Sequence, residues 1–398
     1  MKEQELAKGL DPAICIEFRN AINSSPLALR EERYSSLYNL SCAVMDRIDS
    51  AVHFLNEHWD YPSSEEEFVC FFVFACILKE GVNSIYEATI GKEPKCNSEK
   101  KYFKECCMEA PMYLRDEECP TDEKFVEYIR SLVFAHPYDT SRNRVFKKLY
   151  GTQVSPWVVV NKNLFSFYHC SEPIGVRIYS SIIREENDIY DIVFPFQNLK
   201  DYLIEKYTCL SEVTRWFEEA SESIKNEWKK EKVNRDQSPT NVLHDICKIL
   251  DTRHESTHGI WRLIGYLECP ISDERNTEYV AEYRNYIIDF VPALCDCVDS
   301  LDSAKQFELE KQAIEFHPLY MHQMANYQIQ KVFECLQDDD IPVGRNEEWA
   351  LKQANCFYKE FANKWVYMNI NCMNYLEIKL LITVSMFMEC KEQGRLFV

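Results

Sequence analysis

The sequence predicts a mainly α-helical protein, with helical bundle domains and a small antiparallel β-meander inserted at about 152–197. Two observations carry this. Apolar residues recur at the helical period on both sides of the insert, and inside it the pattern changes to short runs rich in valine, isoleucine and aromatics. The chain has 398 residues, 46% of them hydrophobic, enough to bury one large core or two ordinary ones.

Taken in order, DRIDSAVHFLNEHW (46–59) and EEEFVCFFVFACILKEGVNSIYEATIG (65–91) read as amphipathic helices, the second stopped by Gly91. A loop rich in charge and cysteine follows. Pro120 and Thr121 then open a helix containing YIRSLVFAHP. SPWVVVN, FSFYHC, GVRIYSSII and DIYDIVFPF, separated by the turns NKN, SEPIG and REEND, read as three or four strands. Helices return from about 198, with a long polar one at 203–231 and an aromatic-rich one at 348–368. QDDDIPVGRNEE (337–348) is the clearest linker. This organisation predicts an N-terminal helical domain at 1–150, the β-meander at 151–200 and a C-terminal helical domain at 201–398.

Composition narrows the chemistry. The nine glycines form no phosphate-binding loop of either common type, which argues against a P-loop or a dinucleotide fold. The 18 cysteines are scattered and contain no CxxC pair, so they read as reduced, mostly buried thiols rather than a zinc knuckle. The start, MKEQELAKGLDPA, lacks the apolar core of a signal peptide. The apolar runs 68–78 and 380–388 are too short to span a bilayer and read as buried helices. The expectation is a cytoplasmic protein with no membrane association and no cofactor. A net charge of −20 rules out general attraction to nucleic acid, so any RNA contact needs a local basic patch. RNRVFKK (142–148), with Arg142 and Arg144, is the candidate; a solvated surface loop is the alternative.

The strongest motif lies just before it. On a helical wheel Phe125, Ile129, Leu132 and Val133 share a face, and Arg130 falls roughly 140° from Phe125. Pro137 disfavours α geometry at His136, so the helix should end near Ala135 with the imidazole at the negative end of its dipole. Arginine clamps phosphate oxygens and histidine moves protons near neutral pH. Arg130, Ser131 and His136, with five residues between arginine and histidine, resemble the motif of the HEPN ribonuclease superfamily of prokaryotic defence systems. Where that family more often has Asn, His or Asp after the arginine, this chain has Ser131. The resemblance covers a few dozen residues. It implies a helical, commonly homodimeric fold in which two motifs make one site. It also implies a metal-independent endonuclease that activates the ribose 2′-OH, with Arg130 and His136 catalytic and Ser131 beside them at the RNA; Arg142 and Arg144 of the basic run, outside the motif, are the further candidates for RNA contact.

DTRHESTHGIWRLIG (251–265) offers two chemistries. Arg253 and His258 form a second arginine–histidine motif of the same type. His254, Glu255 and His258 match the HExxH zinc-hydrolase pattern, in which two histidines one helical turn apart bind metal beside a glutamate base. With Leu250 as zero of the wheel, Arg253, His254, Thr257 and His258 fall on the apolar stripe, as an internal polar network or a cleft wall. Arg47 and His53 also have the motif spacing, but they sit in an amphipathic helix and read as structural. A non-catalytic helical interaction or sensor module, with a protein partner suited to an acidic surface, is the remaining alternative.

Overall fold

The structure is a computed structural model and describes residues 9–27, 32–109, 112–140, 144–165, 170–179, 189–336, 346–370 and 372–396. The fold is mainly helical with one small antiparallel sheet, as the sequence predicts. The chain divides into two compact units, Met1–Ser223 and Ile224–Val398.

In the first unit, helix α1 (Pro12–Asn23) starts where the Asp11 carboxylate accepts the Ala13 amide at 2.9 Å, with Pro12 in the first turn. Helices α2 (Glu32–Glu57) and α3 (Glu65–Ile90) pack together. The α3 cap is reciprocal: the Ser64 hydroxyl accepts the Glu67 amide at 3.2 Å, and the Glu67 carboxylate accepts the Ser63 amide at 2.7 Å. At the other end Gly91 takes a left-handed φ of 75°, which glycine adopts without steric cost. Among the described residues α3 is the one helix long and apolar enough to cross a membrane by length and composition. Its Phe68, Phe71, Phe72, Leu78, Val82 and Ile85 are instead spent on the protein interior, as the sequence predicts for 68–78.

Short helix α4 (Lys104–Met108) leads to α5 (Asp122–Arg130), whose last turn widens into a π-turn over Ser131–Ala135; α6 (Arg144–Tyr150) follows. Strands β1 (Ser155–Val159), β2 (Pro173–Tyr179) and β3 (Ile189–Pro195) are antiparallel in that order, with Val158 opposite Val176 and Val176 opposite Ile192. Ile174, Val176 and Ile178 of β2 are fully buried. Most of FSFYHC, at 166–169, lies outside the described residues. The sheet is bound to the helices through aromatic contacts: Phe194 of β3 meets Phe68, Phe103 and Phe125, with centroids 5.7–6.4 Å apart.

The polar stretch expected to form one helix is two, α7 (Phe196–Thr208) and α8 (Leu210–Trp228). They meet where Thr208 and Cys209 donate their side chains to the carbonyls of Ile204 and Glu205, a back-bonding that bends helices.

The second unit holds α9 (Pro239–Thr252), α10 (His258–Glu268), α11 (Thr277–Ser300), α12 (Ser303–Ile314), α13 (Gln323–Cys335), α14 (Glu347–Phe357) with a π-turn over Tyr358–Ala362, and α15 (Tyr375–Glu392). Its core gathers around α15, where Ile378, Leu380, Leu381, Ile382, Val384 and Phe387 are at most 2% exposed. A helix apolar all round has to be interior, and 380–388 accordingly is. Of the linker expected at 337–348, residues 337–345 lie outside the described residues, and Glu347 and Glu348 instead open α14.

Candidate functional site

Helix α5 is positioned by its caps and its aromatic face. The Thr121 hydroxyl accepts the Lys124 amide at 3.4 Å, fixing the start. Phe125 stacks on Phe103 at 4.5 Å, Tyr128 stacks on Phe146 of α6 at 4.2 Å, and Ile129 and Leu132 are buried. That packing leaves Arg130 on the flank, its side chain 27% exposed. The helix ends at Ala135 as expected, because Pro137 pushes His136 out of helical geometry, to φ −145° and ψ 58°. The last turn is wide: the His136 amide donates to Ser131 O at 3.0 Å, five residues back. The imidazole is exposed at this tip.

Arg130 lines a groove of about 520 Å³ in the first unit, together with Arg47, Val73, Glu80, Ser84 and Phe134. His136 is not among the groove residues. Arg47, read from sequence as structural, is exposed on α2 and shares this groove, and Glu80 and Ser84 complete its polar side. Their one signal in the sequence was Lys79-Glu80 interrupting the apolar run of α3.

Arg130 is not electrostatically free. Its Nη1 donates to Glu80 Oε1 at 2.9 Å, and Lys79 Nζ lies 3.0 Å from the same oxygen. Lys79 is sealed from solvent and reaches Glu123 Oε1 at 2.7 Å. The other Glu123 oxygen lies 2.9 Å from Lys206 Nζ and accepts the Tyr202 hydroxyl at 2.5 Å. Burial alone would raise the Glu123 pKa, but Lys79 and Lys206 outweigh it and bring it down to about 2. Burial pulls Lys79 the opposite way, and Glu123 and Glu80 hold it above its ordinary value. A continuous run of ion pairs thus leads from the interior to Arg130.

The remaining residues of the first motif separate. Ser131 is buried and donates its hydroxyl to Glu127 O at 3.0 Å, a helix-internal bond that removes it as an RNA contact. Arg142 lies outside the described residues. Arg144 is exposed, but it opens a helix rather than lying in a loop: Phe146 is fully buried and folds 144–150 into α6.

The second motif is corrected more deeply. The expected helix through 251–265 is broken: α9 stops at Thr252, His254 takes a left-handed φ of 56°, and α10 begins only at His258. The two histidines therefore do not occupy successive turns of one helix, as the HExxH geometry requires. Both are exposed, and His258 Nε2 faces Arg262 Nη2 at 3.1 Å. Among the described residues no group of three or more His, Cys, Asp or Glu side chains is placed to hold a metal ion. Arg253 is 1% exposed and donates to Val298 O at 2.8 Å and Trp228 O at 3.0 Å, with Glu231 O at 3.4 Å. Burial lowers its pKa. It adds a second donor to Trp228 O, which already accepts the Glu231 amide at 3.1 Å, and to Val298 O, which accepts the Leu301 amide at 3.3 Å, and its burial keeps phosphate from it. Arg253 does sit in an internal polar network, but its hydrogen bonds go to main-chain carbonyls rather than to an acid of a neighbouring helix as the sequence suggests, and His254, Thr257 and His258 do not share an apolar stripe.

Comparison with known proteins found no matching family model, no matching curated protein and no matching solved structure.

Proposed function

We propose that the first unit is a metal-independent RNA endonuclease of HEPN type, acting in the cytoplasm in microbial defence or stress, with Arg130 and His136 as its catalytic pair. The observation that carries the reading is that Arg130 lines a groove shared with a second arginine, Arg47, while the imidazole six residues on stands exposed at the helix tip. Two guanidinium groups on one groove give a molecule of net charge −20 a local place for phosphate. Arg130 holds the phosphate oxygens. His136 accepts the proton of the ribose 2′-OH, O2′ attacks phosphorus, and the P–O5′ bond breaks to leave a 2′,3′-cyclic phosphate. A histidine opposite protonates the departing O5′. Because Arg253 is sealed, that counterpart comes from a second copy of the chain, so the active species is a homodimer. Eighteen free thiols, most of them buried, support the reducing compartment.

The test is incubation with single-stranded RNA in a chelator, followed by analysis of the 3′ ends. Cyclic phosphate ends, absent when the RNA is 2′-O-methylated, support the reading; uncut RNA or a metal requirement removes it.

A second reading is a non-catalytic interaction or sensor module. It is favoured by the Glu80 carboxylate, which already neutralises Arg130 at 2.9 Å. It predicts RNA or protein binding at the groove without cleavage.

A further inference from the structure

The ion-pair run ends, on its interior side, at two thiols. Cys96 lies in a short 3-10 turn, Lys95–Ser98, and Cys209 joins α7 to α8. They are 113 positions apart in sequence, yet their Sγ atoms are 3.7 Å apart. Lys206 Nζ, one turn before Cys209, donates to Asn97 beside Cys96 and reaches Glu123 at 2.9 Å. Cys209 Sγ also donates to Glu205 O at 3.5 Å, and the Tyr86 hydroxyl donates to Glu212 at 2.6 Å nearby. Cys96 is 8% exposed and Cys209 half-buried, so a small oxidant has access to the pair.

We propose that Cys96 and Cys209 are a redox-modification site, in which a peroxide-class oxidant converts the two thiols into a reversible disulfide. The chemistry balances in two steps. The Cys96 thiolate attacks the peroxide oxygen, the O–O bond breaks, hydroxide or alkoxide leaves, and Cys96 becomes the sulfenic acid. The Cys209 sulfur then attacks the Cys96 sulfur, one S–S bond forms and water departs. A dithiol reductant returns the two electrons and restores both thiols. Closing from 3.7 Å to the roughly 2.0 Å of a disulfide would join a short turn to a helix junction. The hydrogen bond from Cys209, helped by the Lys206 ammonium, brings the Cys96 pKa down to about 7 against the pull of burial, while Cys209 is pushed up. With the Lys206 ammonium held at Asn97 beside Cys96 and the Cys209 S–H also donating to Glu205 O, Cys96 is the attacking thiolate and Cys209 the resolving thiol. The disulfide fastens the turn holding Asn97 to the α7–α8 junction and removes the anion beside Lys206.

The experiment treats the folded full chain with stoichiometric hydrogen peroxide, blocks remaining thiols and maps peptides by mass spectrometry. The expected result is a Cys96–Cys209 linked peptide two hydrogens lighter than the unlinked pair, lost on dithiothreitol treatment, and formed before other thiols react. In Cys209→Ser the expected result is a dimedone adduct at Cys96; in Cys96→Ser Cys209 stays unmodified. Absence of the linked peptide from the wild type, or its appearance only in denaturant alongside scrambled pairs, overturns the proposal. So does a Cys209→Ser protein whose Cys96 takes up no dimedone.

Discussion

Two arginines of the same motif type have opposite fates, and the difference is solvation. Arg253 has lost its water and replaced it with main-chain carbonyls, while Arg130 keeps a partly wet guanidinium against one carboxylate. Arg253→Ala removes a buried side chain that ties together the carbonyls of Trp228, Glu231 and Val298 and leaves a cavity in its place. It is expected to cost about 3 kcal/mol in urea unfolding of the second unit while leaving any RNA activity unchanged. Glu80→Gln removes the carboxylate competing for Arg130. Tighter binding of a short RNA, with a steeper salt dependence, is the expected outcome in anisotropy titrations. Glu123 gives a pH dependence. Its folded pKa of about 2 lies below the ordinary carboxylate value, so its contribution is complete above about pH 4.5 and fades as pH falls toward 2. The stability gap between wild type and Glu123→Gln, which leaves Lys79 with Glu80 alone and Lys206 buried without a carboxylate, should be about 3 kcal/mol at pH 7. It should narrow across that acid window.

At the scale of elements, β2 depends on one close approach. A Cβ on Gly175 would come within 2.2 Å of the Phe165 ring, so Gly175→Ala is expected to cost roughly 1–3 kcal/mol and disturb the sheet, read from thermal unfolding. The broken turn at 253–257 makes a further prediction. His254→Ala and His258→Ala should leave zinc content, measured on purified protein, the same as wild type, because those rings do not share a helix face. What the sequence made legible follows from these cases. The helix at 65–91, its Gly91 stop and the end at Ala135 were readable because caps, glycine and proline act locally. The π-turn after Arg130, the bend at Cys209 and the break after Thr252 were not. Each depends on side chain to backbone competition or on distant carbonyls such as Val298 O, which periodicity does not encode. Likewise Arg130 and His136 were visible as a spacing, whereas Glu80 and Arg47 are brought beside Arg130 only by the fold, which lines one groove with all three.

For the molecule as a whole, the balance is between a strongly acidic chain and a largely apolar groove that carries two arginines and one glutamate. The sealed Arg253 cannot serve as the counterpart, so the proposed chemistry draws it from a second copy, and activity should rise more than linearly with protein concentration below the dimer dissociation constant. The most direct measurement of the central claim is the rate of RNA cleavage in a chelator by wild type and by His136→Ala, each checked for native unfolding behaviour. Loss of a general base predicts a fall of about 10²–10⁴-fold for the variant. Equal rates in the two proteins would contradict the account, since the exposed imidazole would then have no part in the reaction.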